Sequence, residues 1–291
     1  MQSLTSFIAE QNFLFEEAET LLEKLITFGG QAYPKYGNIV LMAGGAGSGK
    51  GFVLSNLVGM EGKVFDVDEL KTLASKAPAI KRRVAQELGV DIEKLSQNLK
   101  DPENVGKLHD IMGDYLQIDK RKEQAFFTSV LTAPADRKPN IIFDMTLKSL
   151  DKLDKIARDA ASLGYDKKNV HIVWVVNDIE VAKQQNLKRA RTVPTEILVN
   201  THRGAANTMG DIINMGNKLK RYIDGDIVFA FNKVGVDANL SKSGKGGSYV
   251  KDANYFYVKR AGKAPTPVDK LEKEVLAKIK AYVPKDAFSV N

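Results

Sequence analysis

Residues 37 to 51 read Gly-Asn-Ile-Val-Leu-Met-Ala-Gly-Gly-Ala-Gly-Ser-Gly-Lys-Gly, an apolar run that feeds straight into a glycine-rich loop closing on a lysine. The run Ile39 to Ala43 has the unbroken apolar character of a strand buried on both faces, as in a parallel sheet covered by helices. Gly44, Gly45, Gly47 and Gly49 let the backbone turn tightly. With Ala46, Ser48 and Gly51 between and after them they form a cradle whose successive N–H groups point at phosphate oxygens. Lys50 adds a point charge for the β- and γ-phosphates, and Phe52-Val53-Leu54 opens a helix. A glycine-rich loop also serves as an ordinary strand-to-helix connection; the lysine and the preceding strand single out the phosphate reading, with ATP as the expected ligand.

Gly51 departs from the usual loop, which places there a Ser or Thr whose hydroxyl binds magnesium. Mg2+ is therefore expected to be held through water or by side chains elsewhere.

The chain has 291 residues, 43% of them hydrophobic, enough for one large domain or two small ones. It has no cysteine, which excludes disulfides, thiolate metal sites and a cysteine nucleophile. The opening residues lack a charged leader and no apolar run approaches a membrane span, so a cytoplasmic location without membrane association is expected. No obligate protein partner is evident. The net charge of +7 is uneven: from Lys233 onward twelve Lys plus Arg face six Asp plus Glu. Basic surfaces concentrate polyanions, and a solvated lysine-rich tail is the plainer alternative.

Along the chain, apolar positions from Leu4 to Ile26 recur at helical spacing and end at Gly29-Gly30, predicting an N-terminal accessory helix in a segment 1–35. Five buried strands are predicted at 39–43, 63–67, 140–145, 170–176 and 226–231, alternating with helices. The fold class is therefore α/β, a three-layer P-loop kinase type with a five-stranded, mainly parallel sheet and its ligand at the strands' carboxyl ends. Residues 36–232 form this core, with a helical insertion at 72–138. Breaks at Gly89, Pro102 and Pro134 divide the insertion. Its stretch Val84 to Leu95 looks like a helix-turn-helix, or two packed helices joined at Gly89. Residues 233–291 form a basic C-terminal arm and helix, with a hairpin expected at 249–259 and a helix at 268–283. His171 and Trp174 on the fourth strand are expected in the core.

The strand ends carry the candidate chemistry. Strand two ends Asp66-Val-Asp68-Glu-Leu-Lys71, where Asp68 either caps the next helix or accepts the proton of an attacking hydroxyl. This strand end is expected beside the phosphate loop. Strand three delivers Asp144, followed by Met145 and Thr146. Asp144, with Asp66, is the expected magnesium partner, and Thr146 a donor to a substrate or phosphate oxygen. After strand four, Arg189 and Arg191 precede Pro194, as a solvated helix end or as a segment closing over the triphosphate.

These pieces carry a resemblance. The Lys50-Gly51 pair resembles the loop of adenylate-kinase-like enzymes. The phosphate loop, Asp-Val-Asp-Glu-Leu-Lys, Asp-Met-Thr and Arg-Ala-Arg-Thr-Val-Pro-Thr-Glu-Ile-Leu-Val resemble the zeta-toxin and polynucleotide-kinase branch of P-loop kinases across about residues 36 to 232. The resemblance implies that Asp68 is the base, Lys71 its basic partner at the substrate, and Arg189 and Arg191 lid arginines. Overall the chain is similar to bacteriophage P-loop kinases that phosphorylate 5-hydroxymethyluracil within DNA. That implies a partner, DNA containing modified thymine, an infected host cell as the setting, and an ATP-dependent kinase of thymidine hypermodification. Lys242, Lys245, Lys251, Lys259, Arg260 and Lys263, with Tyr249, Tyr255, Phe256 and Tyr257, then supply charge and stacking. The alternatives are a zeta-like kinase of a nucleotide sugar or other small hydroxyl acceptor, and an acceptor-free NTPase switch. Asn232-Lys-Val-Gly superficially resembles a guanine-reading motif, but Gly235 stands where that motif has aspartate.

Overall fold

The computed structural model describes residues 26–31, 34–66, 75–188, 192–232, 238–242, 248–253 and 255–288. Five strands, β1 (Ile39–Ala43), β2 (Lys63–Asp66), β3 (Ile141–Asp144), β4 (Val170–Asn177) and β5 (Ile227–Asn232), run parallel in the order β2-β3-β1-β4-β5. Every residue of β1 and all eight of β4 are buried, as strands covered on both faces must be. Their side chains alternate between two cores. Ile39, Leu41, Ala43, Ile172, Trp174 and Val176 face one side, packed by helices Leu150–Ser162, Thr195–Asn214 and Lys273–Tyr282. Val40, Met42, Val173 and Val175 face the other, covered by Val53 of helix Lys50–Asn56, by Leu57 just past its end, and by Ile26 and Phe28. Trp174 lies in the first core with its ring against Phe229 and Phe288, so it packs as expected.

The sheet has a sixth strand. β6 (Ala238–Lys242) and β7 (Ser248–Ala253) pair as an antiparallel hairpin, and β8 (Tyr255–Lys259) leaves it to join the main sheet antiparallel to β5. The expected hairpin at 249–259 is thus split between two sheets. The reason is the unpaired edge of β5, whose N–H and C=O groups β8 satisfies. The expected N-terminal helix falls largely outside the described residues. At its predicted end, Ile26 bridges Val58 in parallel and Phe28 bridges Gln31, so this stretch is extended rather than helical. The predicted 268–283 helix is a short 3-10 turn, Val268–Lys270, followed by the helix Lys273–Tyr282.

The insertion folds as helices Pro78–Leu88, Ile92–Gln97, Pro102–Asp110 and Ile118–Leu131, with a π-helical turn at Ile111–Tyr115. Sequence signals set its boundaries: Pro78 and Pro102 occupy first turns, Gly89 ends a helix at φ 67°, and the Asp91 and Asp101 carboxylates accept from the amides that follow them. Val84, Ile92, Leu108, Ile111, Met112, Leu116 and Ile118 close a core of their own. The Val84 to Leu95 stretch is therefore two helices packed into that core. The last insertion helix returns to the main body through Phe126, Phe127 and Val130.

Candidate active site

The phosphate loop leaves the carboxyl end of β1 in the middle of the sheet. On one side β3 ends at Asp144, which stands in register with Met42 of β1 and with Asp66 of β2. β2 is thus the outer neighbour of β3 and one strand removed from the loop, which corrects the expectation that its end lies directly beside the loop. Asp68, Lys71, Arg189 and Arg191 lie outside the described residues. Of Asp66 only its strand position is described.

Lys50 turns back over the loop. Its Nζ donates to the carbonyls of Gly44 at 3.0 Å and Gly45 at 3.4 Å and stands 3.5 Å from Asp144 Oδ1. The structure therefore brings together Lys50 and Asp144, two expected site residues from separate strands. The loop's amides divide into two sets. Gly44 N donates to Thr146 O at 3.3 Å, Ala46 N to Thr201 Oγ1 at 3.1 Å, and Ser48 N to Gly45 O at 3.2 Å. The amides of Gly45, Gly47, Gly49, Lys50 and Gly51 have no protein partner among the described residues. These are the donors left for phosphate oxygens. Thr146 takes part through its backbone carbonyl, which holds the start of the loop.

Four residues that sequence reading did not assign to the site hold this loop from outside. Asn177 and Asn232, register partners at the ends of β4 and β5, donate their amide Nδ2 to Gly47 O at 3.1 Å and Ser48 O at 2.9 Å. Thr201 and His202, on helix Thr195–Asn214, bind Ala46, with His202 Nε2 donating to its carbonyl at 2.9 Å. The loop's glycines answer these neighbours. A Cβ at Gly45 would overlap the His202 ring, and one at Gly49 would overlap the Asn232 amide. Burial holds the His202 imidazole below its ordinary pKa, against the Ala46 carbonyl and with the help of the Lys50 charge. The only available signal was positional: an asparagine ending each of two adjacent buried strands.

A divalent cation suits the donor set, because hard cations take oxygen ligands and Asp144 presents a half-buried carboxylate at the mouth of the loop. Among the described residues no group of three or more His, Cys, Asp or Glu could hold a metal by itself. A magnesium ion would thus be held by Asp144, by water beside Gly51 and by the phosphates it accompanies.

The basic arm is partly accounted for by folding. Lys259 is 1% exposed, and its Nζ donates to Asp224 Oδ1 at 3.0 Å and to the carbonyls of Asp224 and Gly225 at 2.8 Å. It is therefore not a contact for nucleic acid, contrary to expectation. Tyr257 accepts from Thr27 N at 2.8 Å and carries Arg260 against its ring, and Phe256 packs on the core. Arg260 and Lys263 are exposed; Lys242, Lys245, Lys251 and Tyr249 have no described side chains.

A phosphate loop at the carboxyl end of the central strand of a mainly parallel sheet, lined by a lysine and a carboxylate, defines an α/β protein of the P-loop class. Residues 114–234 match the Zeta toxin family, a stretch that runs from the π-helical turn of the insertion through β5. No curated protein matches the chain. Similar solved structures include the AvrRxo1-ORF1:-ORF2 complex, at 12% identity and TM-score 0.44, covering 86% of this chain and 66% of that one. The same complex with ATP is similar at 10% identity and TM-score 0.44, covering 88% and 67%. The PezAT chromosomal toxin-antitoxin system of Streptococcus pneumoniae is similar at 15% identity and TM-score 0.37, covering 80% of each chain. The chain spans just under two thirds of the first of these. Among the described residues no helix is long and apolar enough to cross a membrane.

Proposed function

We propose that this protein is an ATP-dependent kinase that transfers the γ-phosphate to a hydroxyl acceptor. The observation that carries the reading is the meeting of Lys50, Asp144 and five loop amides without a protein partner among the described residues, at the sheet's carboxyl edge. The match of residues 114–234 to the Zeta toxin family supports phosphotransfer over simple nucleotide binding. Phosphoryl transfer asks the protein mainly for positioning and charge neutralisation, since the transferring group is loosely bonded in the transition state. Gly47, Gly49, Lys50 and Gly51 amides orient the phosphates, and Lys50 Nζ exchanges its carbonyl partners for their oxygens. Asp144 holds Lys50 in place. A bound magnesium ion supplies charge for the β- and γ-phosphates. Asp68 takes the acceptor's proton, Lys71 and Thr146 contact the acceptor, and Arg189 and Arg191 neutralise charge as the phosphoryl group moves.

Two acceptors are proposed. The exposed Arg260 and Lys263, with the excess of lysine beyond Lys233, favour a polyanionic acceptor, and 5-hydroxymethyluracil in DNA is the proposed one. The resemblance to zeta-type kinases favours a nucleotide sugar or another small hydroxyl compound. Labelled ATP offered to matched DNAs with thymine or 5-hydroxymethyluracil, and to a nucleotide sugar, separates them. Label entering only the modified DNA, at a rate falling steeply with salt, supports the first. Label in the sugar, insensitive to salt, supports the second, and release of free phosphate alone refutes transfer. Asp68→Asn is expected to abolish transfer and spare ATP binding.

A further inference from the structure

Two adjacent side chains of helix Thr195–Asn214 take both polar groups of one phosphate-loop residue. Thr201 Oγ1 accepts from Ala46 N at 3.1 Å, and His202 Nε2 donates to Ala46 O at 2.9 Å. The Thr201 hydroxyl gives its own proton to Leu198 O at 2.7 Å, which turns an oxygen lone pair toward Ala46. His202 is 6% exposed and fills the space that any side chain at position 45 would need. This is more than packing, because it removes one N–H from the cradle and holds the residue at its centre from both sides.

We infer that Thr201 and His202 are positioning residues for nucleotide binding, acting through Ala46. A flexible loop must order its amides when phosphate arrives, and that ordering costs conformational entropy; a loop already held at its centre does not incur the cost on binding. With Ala46 fixed on both sides, and Gly47 O and Ser48 O held by Asn177 and Asn232, the backbone that carries the unpartnered loop amides is held before the ligand is present. The helix that carries the clamp begins at Thr195, directly after the segment that bears the proposed arginines. Its approach is itself fixed: Val193 exchanges two hydrogen bonds with the buried Asn186 amide, at 2.7 and 2.9 Å. The helix thus carries the clamp from a fixed start. The inference rests on the loop being a triphosphate site and does not depend on whether phosphate is transferred.

The test is ATP binding by calorimetry with magnesium, for the full chain and for His202→Leu, His202→Gln, Thr201→Val and Thr201→Ser, with thermal melting of each. Gln keeps an N–H near the Nε2 position and Ser keeps the hydroxyl, whereas Leu and Val keep bulk alone. His202→Leu and Thr201→Val are expected to weaken ATP binding on the order of tenfold, and the Gln and Ser variants by about threefold at most. Lys50→Ala separates the two levels of the argument. If it binds ATP as the parent does, the triphosphate reading fails. If it loses binding while His202→Leu and Thr201→Val keep it, only the positioning role fails. Equal loss in Gln and Leu, or in Ser and Val, also overturns the inference, since a purely structural role would not distinguish them.

Discussion

Alanine at Gly49 and alanine at Gly51 should have opposite effects, although the two positions are two residues apart in one loop. Gly49 sits at φ 88°, and an L-residue held in the left-handed region costs about 1–2 kcal/mol. The new Cβ also displaces the Asn232 amide from Ser48 O. That loses a hydrogen bond worth about 1 kcal/mol net, and a polar group left unpaired beneath the loop adds about 1–3 kcal/mol. The total, about 3–6 kcal/mol, is a large share of the roughly 5–15 kcal/mol that holds a typical domain together. At Gly51 no described atom beyond its chain neighbours and its own helix backbone lies within 4 Å of the Cβ position, and the residue is in the first turn of a helix. Alanine there restricts the unfolded chain and gains up to about 1 kcal/mol. Urea denaturation and ATP calorimetry on both variants measure the contrast. The reasoning further requires that Asn232→Ala be less damaging in the Gly49→Ala background than alone, because the overlap has gone. A Gly49→Ala protein with an unchanged midpoint and ATP affinity within about twofold of the parent would refute the account of the loop as held from behind by Asn232.

Other outcomes follow from the same contacts. Gly51→Ser restores a hydroxyl beside Lys50 in open space, so ATP binding should need less magnesium, read as a lower midpoint in a magnesium titration; no shift would mean that the ion does not approach Gly51. Thr192 binds the insertion through Leu99 O at 3.1 Å and Lys100 O at 2.9 Å, so Thr192→Val should slow phosphate transfer severalfold with ATP affinity unchanged, and Thr192→Ser should restore it. His171, wholly buried, is held below its ordinary pKa by burial, which outweighs Asp226; with Asp226 N donating to Nδ1, the ring carries its proton on Nε2, toward Asn38 Oδ1. His202 is shifted the same way by burial. An unfolded histidine takes up its proton near pH 6.5, above the folded values, so the unfolded chain binds more protons as pH falls through that point. Stability should be intact above about pH 6.5 and decline below it, and His171→Gln should flatten the decline; identical urea midpoints at pH 7.5 and 5.5 would contradict this.

Much of the fold was readable because its signals are local. Runs such as Ile39 to Ala43 and Val170 to Val176 have no polar face to present to water, so they belong in a sheet covered on both sides, and the structure buries them there. Pro78, Gly89, Asp91 and Pro102 set helix ends by geometry that depends on few neighbours. Strand order is different: nothing within Lys63 to Asp66 says that β3 will come between it and β1, because that choice is made by how the crossovers pack. Lys259 misled for a related reason. It reads as one more exposed cation, yet the pairing of β8 with β5 carries it to Asp224 and three carbonyls.

The sequence by itself determined that a phosphate loop follows a buried strand and that Lys50 stands in it, since four glycines and a lysine at that spacing are a backbone property of one short segment. It also identified Asp144 as a carboxylate at a strand end. Only the tertiary structure decided what holds the loop still. Asn177, Asn232, Thr201 and His202 are ordinary residues in their own segments. They reach the loop because β4, β5 and one helix converge behind it, from positions 130 to 184 residues further along the chain. Such contacts carry no local pattern, so the loop's existence is written in adjacent residues while its rigidity comes from distant ones.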